Sequence, residues 1–131
     1  MKVTAKLLRR DVEDLAKHAS TEARRRAAVS RAYYASYHRC LRWEGLLPYK
    51  SECQAQGGVH ARLIERLKWP HPFCGRALME RSESLGKLLE KQRRLRVLAD
   101  YMLGSTIDGA HVEDQLQAVQ QVFEHCADPH T

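Results

Sequence analysis

The sequence has few cysteines and no long hydrophobic run. No apolar stretch approaches the roughly 18 residues that a membrane helix needs, and the first residues do not resemble a secretory signal. The four cysteines form no Cys-x-x-Cys pair, and they lie at Cys40, Cys53, Cys74 and Cys126. Their wide spacing favours neither a disulfide framework nor a zinc site. We therefore expect a cytoplasmic protein with no cofactor, no metal and no membrane partner.

Positive charge is the clearest feature of the composition. The 131 residues include 22 Lys and Arg against 16 Asp and Glu, a formal net charge of +6. This length is that of one domain with a modest core, and a hydrophobic content of 44% excludes an intrinsically disordered chain. The excess of positive charge favours polyanionic partners, with nucleic acid first among them.

Hydrophobic residues recur every three or four positions along the whole chain, which is typical of amphipathic helices. The pattern predicts helices over about 4–19, from a Ser20/Thr21 cap to about Trp43, from Val59 to Trp69, through Leu85–Met102 up to Gly104, and after an Asp108 cap. Alternation of strand length is missing from the sequence. We predict one all-α domain over residues 1–131, an antiparallel bundle of four or five helices. Its core would span about 4–126, followed by a frayed tail.

The second predicted helix carries the most unusual chemistry. Arg31 and His38 are seven residues apart, so they share one helix face two turns apart, with Tyr34 between them. A guanidinium can hold two phosphate oxygens, and an imidazole can transfer a proton near neutral pH. The set suits phosphoryl chemistry on RNA, whose own 2′-hydroxyl is the nucleophile. On spacing alone, such a pair is more often structural, and tyrosines at helical spacing more often pack than stack on bases.

The string Ser30-Arg31-Ala32-Tyr33-Tyr34-Ala35-Ser36-Tyr37-His38 closely resembles the signature helix of the HEPN family (higher eukaryotes and prokaryotes nucleotide-binding domain). Two further segments are similar to family elements in the same order. Gly58-Val59-His60 resembles the element that opens the family's middle helix, and residues 95–101 resemble its L-R-x-x-A-D-Y motif. Together the three resemblances span about residues 25–125.

The resemblance implies an all-α fold and a metal-independent endoribonuclease that works as a homodimer, as a toxin or phage-defence effector. Arg31 would bind and polarise the scissile phosphate, and His38 would act as general base or acid. The products would be a 2′,3′-cyclic phosphate and a 5′-hydroxyl, formed in a basic cleft between two signature helices related by a two-fold axis. The supporting RNA-binding candidates are Tyr34, Arg24, Arg25, Arg39, Arg42, His60, Arg96, Asp100 and Tyr101.

Two alternative functions remain open at this stage. Many nucleases of the family have a polar residue directly after the motif arginine, where this chain has Ala32. That difference favours a catalytically silent HEPN module that binds RNA, a nucleotide or a partner protein such as an antitoxin or a nucleotidyltransferase. The basic charge alone is also compatible with a small DNA-binding regulator, although no helix-turn-helix stands out. A structural role is expected for two candidates, with Asp100 paired to an arginine and Tyr101 packed.

Overall fold

A computed structural model describes residues 3–127, and this range forms a bundle of five α-helices without a strand. The elements are α1 (Ala5–Lys17), α2 (Glu22–Gly45), α3 (Val59–Lys68), α4 (Arg76–Tyr101) and α5 (Gly109–Cys126), with a short 3-10 helix at Pro72–Cys74. The all-α prediction is confirmed. The tail at 128–131, predicted to fray, lies outside the described residues. Among residues 3–127, no helix is long and apolar enough to cross a membrane.

Side-chain caps fix where three of the helices begin. The hydroxyl of Thr4 accepts a hydrogen bond from the backbone N–H of Leu7, and that of Thr21 accepts one from Arg24. The Asp108 carboxylate accepts from the backbone N–H of His111, whose ring accepts in turn from the Asp108 N–H. These bonds satisfy donors that a helix start leaves without an intrahelical partner. The predicted starts of α2 and α5 are confirmed, whereas α1 ends at Lys17, two residues before its predicted end.

Helix α2 is the centre of the bundle. It packs against α1, α4 and α5, while α3 packs mainly against α4. Large side chains from four helices meet beside it in the main core cluster, which includes Tyr33, Trp43, Leu63, Leu67, Leu85, Leu89 and Val122. Burying one such side chain stabilises a fold by about 1.5–3 kcal/mol. This packing leaves only one face of α2 open to solvent.

Gly86 lies buried in the middle of α4 without interrupting the helix. A Cβ atom at this position would lie 2.6 Å from Cγ of Lys68 and 3.0 Å from the Lys68 backbone nitrogen. The missing side chain therefore lets α3 and α4 approach closely. Gly86, which the sequence alone marks as a weak point in a helix, has a packing role here.

Two residues of the arginine run 24–26 hold the loop between α4 and α5. Arg26 donates to backbone carbonyl oxygens at the end of α4, where a helix leaves acceptors without intrahelical donors. Arg25 Nε donates to the carbonyl oxygen of Ile107 over 2.8 Å. The acceptors of Arg26 are the carbonyl oxygens of Leu98, Ala99, Met102 and Ser105 and the Glu22 carboxylate. The run was expected to be a solvated face, but of these three arginines only Arg24 is exposed, and the other two are half-buried.

Candidate functional site

Four basic side chains lie along the exposed face of α2. Arg31 and His38 are both exposed, about 10.5 Å apart along the helix axis. Arg24 lies seven residues before Arg31, and Arg42 lies four residues after His38, so both share this face and both are exposed. The predicted common face of Arg31 and His38 therefore lies on the outer side of α2. The surface formed by these four residues is called the α2 basic face below.

A hydrogen-bonded network joins α4 to α2 beside Arg31. Arg96 Nε donates to Asp100 Oδ2 over 2.8 Å, and the Ser30 hydroxyl donates to the same oxygen over 3.1 Å. Arg96 Nη2 donates to the Tyr34 hydroxyl over 2.9 Å. The expected pairing of Asp100 with an arginine is confirmed. Because all four residues are half-buried and come from both helices, the network fixes α2 against α4 at the site.

Aromatic rings surround the Arg96 guanidinium. Its Cζ lies 5.3 Å from the ring centroid of Tyr34, 5.4 Å from that of Tyr101 and 5.9 Å from that of Tyr33, within the range of cation–π contacts. Tyr101 was expected to pack into the fold, yet 67% of it is exposed. The end of α4 carries it outward, so the ring contacts Arg96 on one side and solvent on the other.

His60 begins α3 behind α2 and not on the exposed face. Its Nδ1 lies 2.8 Å from the Tyr33 hydroxyl, and its ring centroid lies 4.4 Å from that of Tyr37. Burial, followed by the positive charges of Arg96 and Arg93, lowers the pKa of His60 below its ordinary 6.5. The ring is therefore neutral at pH 7.

Tyr33 keeps its proton beside the His60 ring. Burial raises the pKa of the Tyr33 phenol far above its usual value, so the hydroxyl keeps its proton. A protonated phenol and a neutral imidazole each carry a donor and an acceptor, so the two groups share a neutral hydrogen bond that either tautomer of His60 can form. Tyr37 then connects this buried pair to the exposed face, since its ring centroid lies 5.2 Å from that of His38.

The remaining RNA-binding candidates lie on another side of α2. Arg39 Nη2 donates to the backbone carbonyl oxygen of Cys126 over 2.7 Å, at the end of α5. Arg25 is bonded to the loop that precedes α5. Neither side chain reaches the α2 basic face through these contacts, whereas Tyr34, Arg96 and Asp100 lie beside it.

Four residues of the site were not among the sequence-based candidates. They are Ser30, Tyr33, Tyr37 and Arg93. Arg93 precedes Arg96 by three positions, so the helical spacing places both on one face of α4 and could have identified it. Ser30 and the two tyrosines stand inside the motif string itself, but their partners come from α3 and α4 and have no signal in the local sequence.

The cysteines are all unbridged. Cys40 and Cys126 are buried and share a hydrogen bond, and this bond together with burial raises the pKa of the Cys40 thiol. Cys53 and Cys74 are partly exposed in the segment between α2 and α4. Over the range that the structure describes, no three His, Cys, Asp or Glu side chains gather as metal ligands would.

Comparisons of the chain with models of known protein families, with curated proteins and with solved structures found no match. The site geometry and the sequence motifs are therefore the basis for a functional proposal.

Proposed function

We propose that the protein is a metal-independent endoribonuclease of the HEPN type, acting as a toxin or phage-defence effector. One observation carries the proposal: the three sequence segments that resemble HEPN elements contact one another. Tyr34 of the signature string accepts from Arg96 of the later motif, and Ser30 donates to Asp100. Tyr33 meets His60 of the middle element. Motifs far apart in sequence that converge beside one exposed Arg–His pair are typical of a functional site.

The chemistry assigns separate tasks to the two exposed residues. The Arg31 guanidinium holds two oxygens of the scissile phosphate and stabilises the charge that develops on them. His38 accepts the proton of the 2′-hydroxyl or donates one to the leaving 5′-oxygen. Attack of the 2′-oxygen on phosphorus forms the 2′,3′-cyclic phosphate, and the bond to the 5′-oxygen breaks. Asp100 and Arg96 are positioning residues in this scheme, because they act through Ser30 and Tyr34.

A second copy of the chain would complete the site. Arg31 and His38 lie on a convex helix surface, so a phosphate bound there meets protein on one side only. A second α2 across a two-fold axis would supply the opposite wall and double the positive charge. Large apolar side chains at the end of α4, close to the Arg96 network, offer contact area for this homodimer. They are Tyr101, Met102 and Leu103, which are 67%, 50% and 78% exposed.

The test is cleavage of an end-labelled structured RNA by the purified chain in excess EDTA. We expect cyclic-phosphate ends from the wild type, and rates at least about 100-fold lower in Arg31→Ala and in His38→Ala. Lys87→Ala is the matched control, since Lys87 is exposed on α4 outside the site. Cleavage that persists in both site variants would contradict the proposal, as would an intact RNA with the wild type.

A catalytically silent module that binds RNA or a partner protein is the second candidate. It is favoured by Ala32, which is buried against Val12 and Val119 and brings no polar group beside Arg31. The same assay separates the two candidates. RNA that is shifted in a gel but not cleaved would favour an RNA-binding module, and RNA that is neither cleaved nor shifted would favour a protein partner such as an antitoxin or a nucleotidyltransferase.

A further inference from the structure

A cavity of about 430 Å³ opens between the start of α1 and the carboxyl-terminal half of α2. Four basic residues line it together with the ring of Phe123 and the first residues of α1, and none of its lining residues is acidic. The four basic residues are Lys6, Arg9, Arg39 and Arg42. This cavity is called the basic cleft below.

Most of the positive charge in the basic cleft is not neutralised by the protein. The neutral carbonyl oxygen of Cys126 accepts from Arg39 Nη2, while Arg39 Nη1 is buried and has no hydrogen-bond partner among the described residues. Lys6 and Arg42 are exposed and form no ion pair with any residue in 3–127. Arg9 alone of the four has a carboxylate nearby, 3.3 Å away on Glu13.

The surroundings add to this positive potential. The first turn of α1, whose residues Ala5 and Lys6 line the basic cleft, contains no acidic residue, so no carboxylate in that turn offsets the positive end of the helix dipole. The Arg9 guanidinium lies 4.8 Å from the Phe123 ring centroid, which holds this charge at the wall. Cations held close together in a partly enclosed space repel one another, which raises the free energy of the empty cleft. A bound anion offsets this repulsion because it attracts each of the cations.

The charge count indicates which anion fits. A phosphodiester in a nucleic-acid backbone carries one negative charge, whereas each terminal phosphate group carries about −1.5 to −2. Four cations around one concave space therefore match linked phosphates better than a single diester. We propose that the basic cleft binds a di- or triphosphate chain, supplied either by a free nucleotide or by the 5′ end of an RNA. This site shares Arg42 with the α2 basic face but contains neither Arg31 nor His38, and it does not depend on ribonuclease activity.

The test is titration calorimetry of the full chain with inorganic triphosphate, beside orthophosphate. We expect saturable binding of triphosphate and weaker binding of orthophosphate. Lys6→Gln and Arg42→Gln should each weaken triphosphate binding about tenfold, and both positions are exposed, so the variants should fold. Lys87→Gln, which removes an exposed charge on α4, should bind as the wild type does.

The absence of saturable triphosphate binding would overturn the proposal, and so would equal weakening in Lys87→Gln. Competition then identifies the source of the phosphates. Displacement of inorganic triphosphate by a nucleoside triphosphate, or by an RNA with a 5′-triphosphate, supports the site and identifies its ligand. An RNA with a 5′-hydroxyl that competes as well as the 5′-triphosphate RNA would show ordinary backbone binding and overturn the proposal. RNA cleavage without triphosphate binding would leave the proposed ribonuclease function intact.

Discussion

Gly86→Ala tests the close approach of α3 and α4. Alanine is favoured over glycine by about 1 kcal/mol in a helix interior, so propensity alone predicts a more stable protein. At Gly86, however, the new Cβ would lie 2.6 Å from Lys68 Cγ, 3.0 Å from Lys68 N and 3.3 Å from the Ile64 carbonyl oxygen. Two of these atoms belong to the α3 backbone and cannot rotate away. Overpacking of this kind costs roughly 1–3 kcal/mol, so we expect a net loss of up to about 2 kcal/mol of unfolding free energy.

Urea denaturation followed by far-ultraviolet circular dichroism measures this change. Gly45→Ala is the matched control, because Gly45 is also helical and nothing lies within 4 Å of its added Cβ. We expect this variant to be as stable as the wild type or more stable by up to about 1 kcal/mol. If Gly86→Ala were as stable as Gly45→Ala, the helices would have room for a methyl group and the packing role of Gly86 would be refuted.

Two further predictions concern the candidate site. Asp100→Asn removes the charged acceptor of Arg96 and Ser30, so we expect a loss of about 1–3 kcal/mol by urea denaturation and slower RNA cleavage, and an unchanged stability would contradict the network. Burial lowers the pKa of His60, so below about pH 6.5 the unfolded chain takes up a proton before the folded chain does, and acid destabilises the fold. The melting temperature should therefore fall less between pH 7.5 and pH 5.5 in His60→Asn than in the wild type, and equal slopes would refute this assignment.

The helices were largely predictable because their signals are local. Thr21 and Asp108 cap the helices that follow them through bonds three residues long, and such bonds are visible in the sequence. The common face of Arg31 and His38 follows from helical geometry in the same way. The local sequence marks Gly86 as an unfavourable residue within a helix. Its role is visible only in the packing of the two helices, where the missing side chain lets α3 approach α4.

The roles of buried polar groups were not predictable. Arg26 caps the end of α4 over 72–79 positions of sequence, and nothing around residue 26 indicates those acceptors. Tyr33 and His60 lie in two of the segments that resemble HEPN elements. Their hydrogen bond and the lowered pKa of His60 nevertheless depend on how α3 packs against α2. Tertiary contacts decide which of many basic residues face solvent and which support the backbone.

The central position of α2 affects the order in which the protein can fold during synthesis. A nascent chain that has left the ribosome as far as α3 already contains the motif helix, but α4 and α5, which cover two of its sides, have not yet been made. The Tyr34–Arg96 and Ser30–Asp100 bonds span 62 and 70 residues, so neither can form before most of α4 has emerged. Contacts of such long range form late in folding. The groups beside Arg31 and His38 are thus assembled only after α4 is complete, which delays the appearance of an ordered site until that helix has emerged.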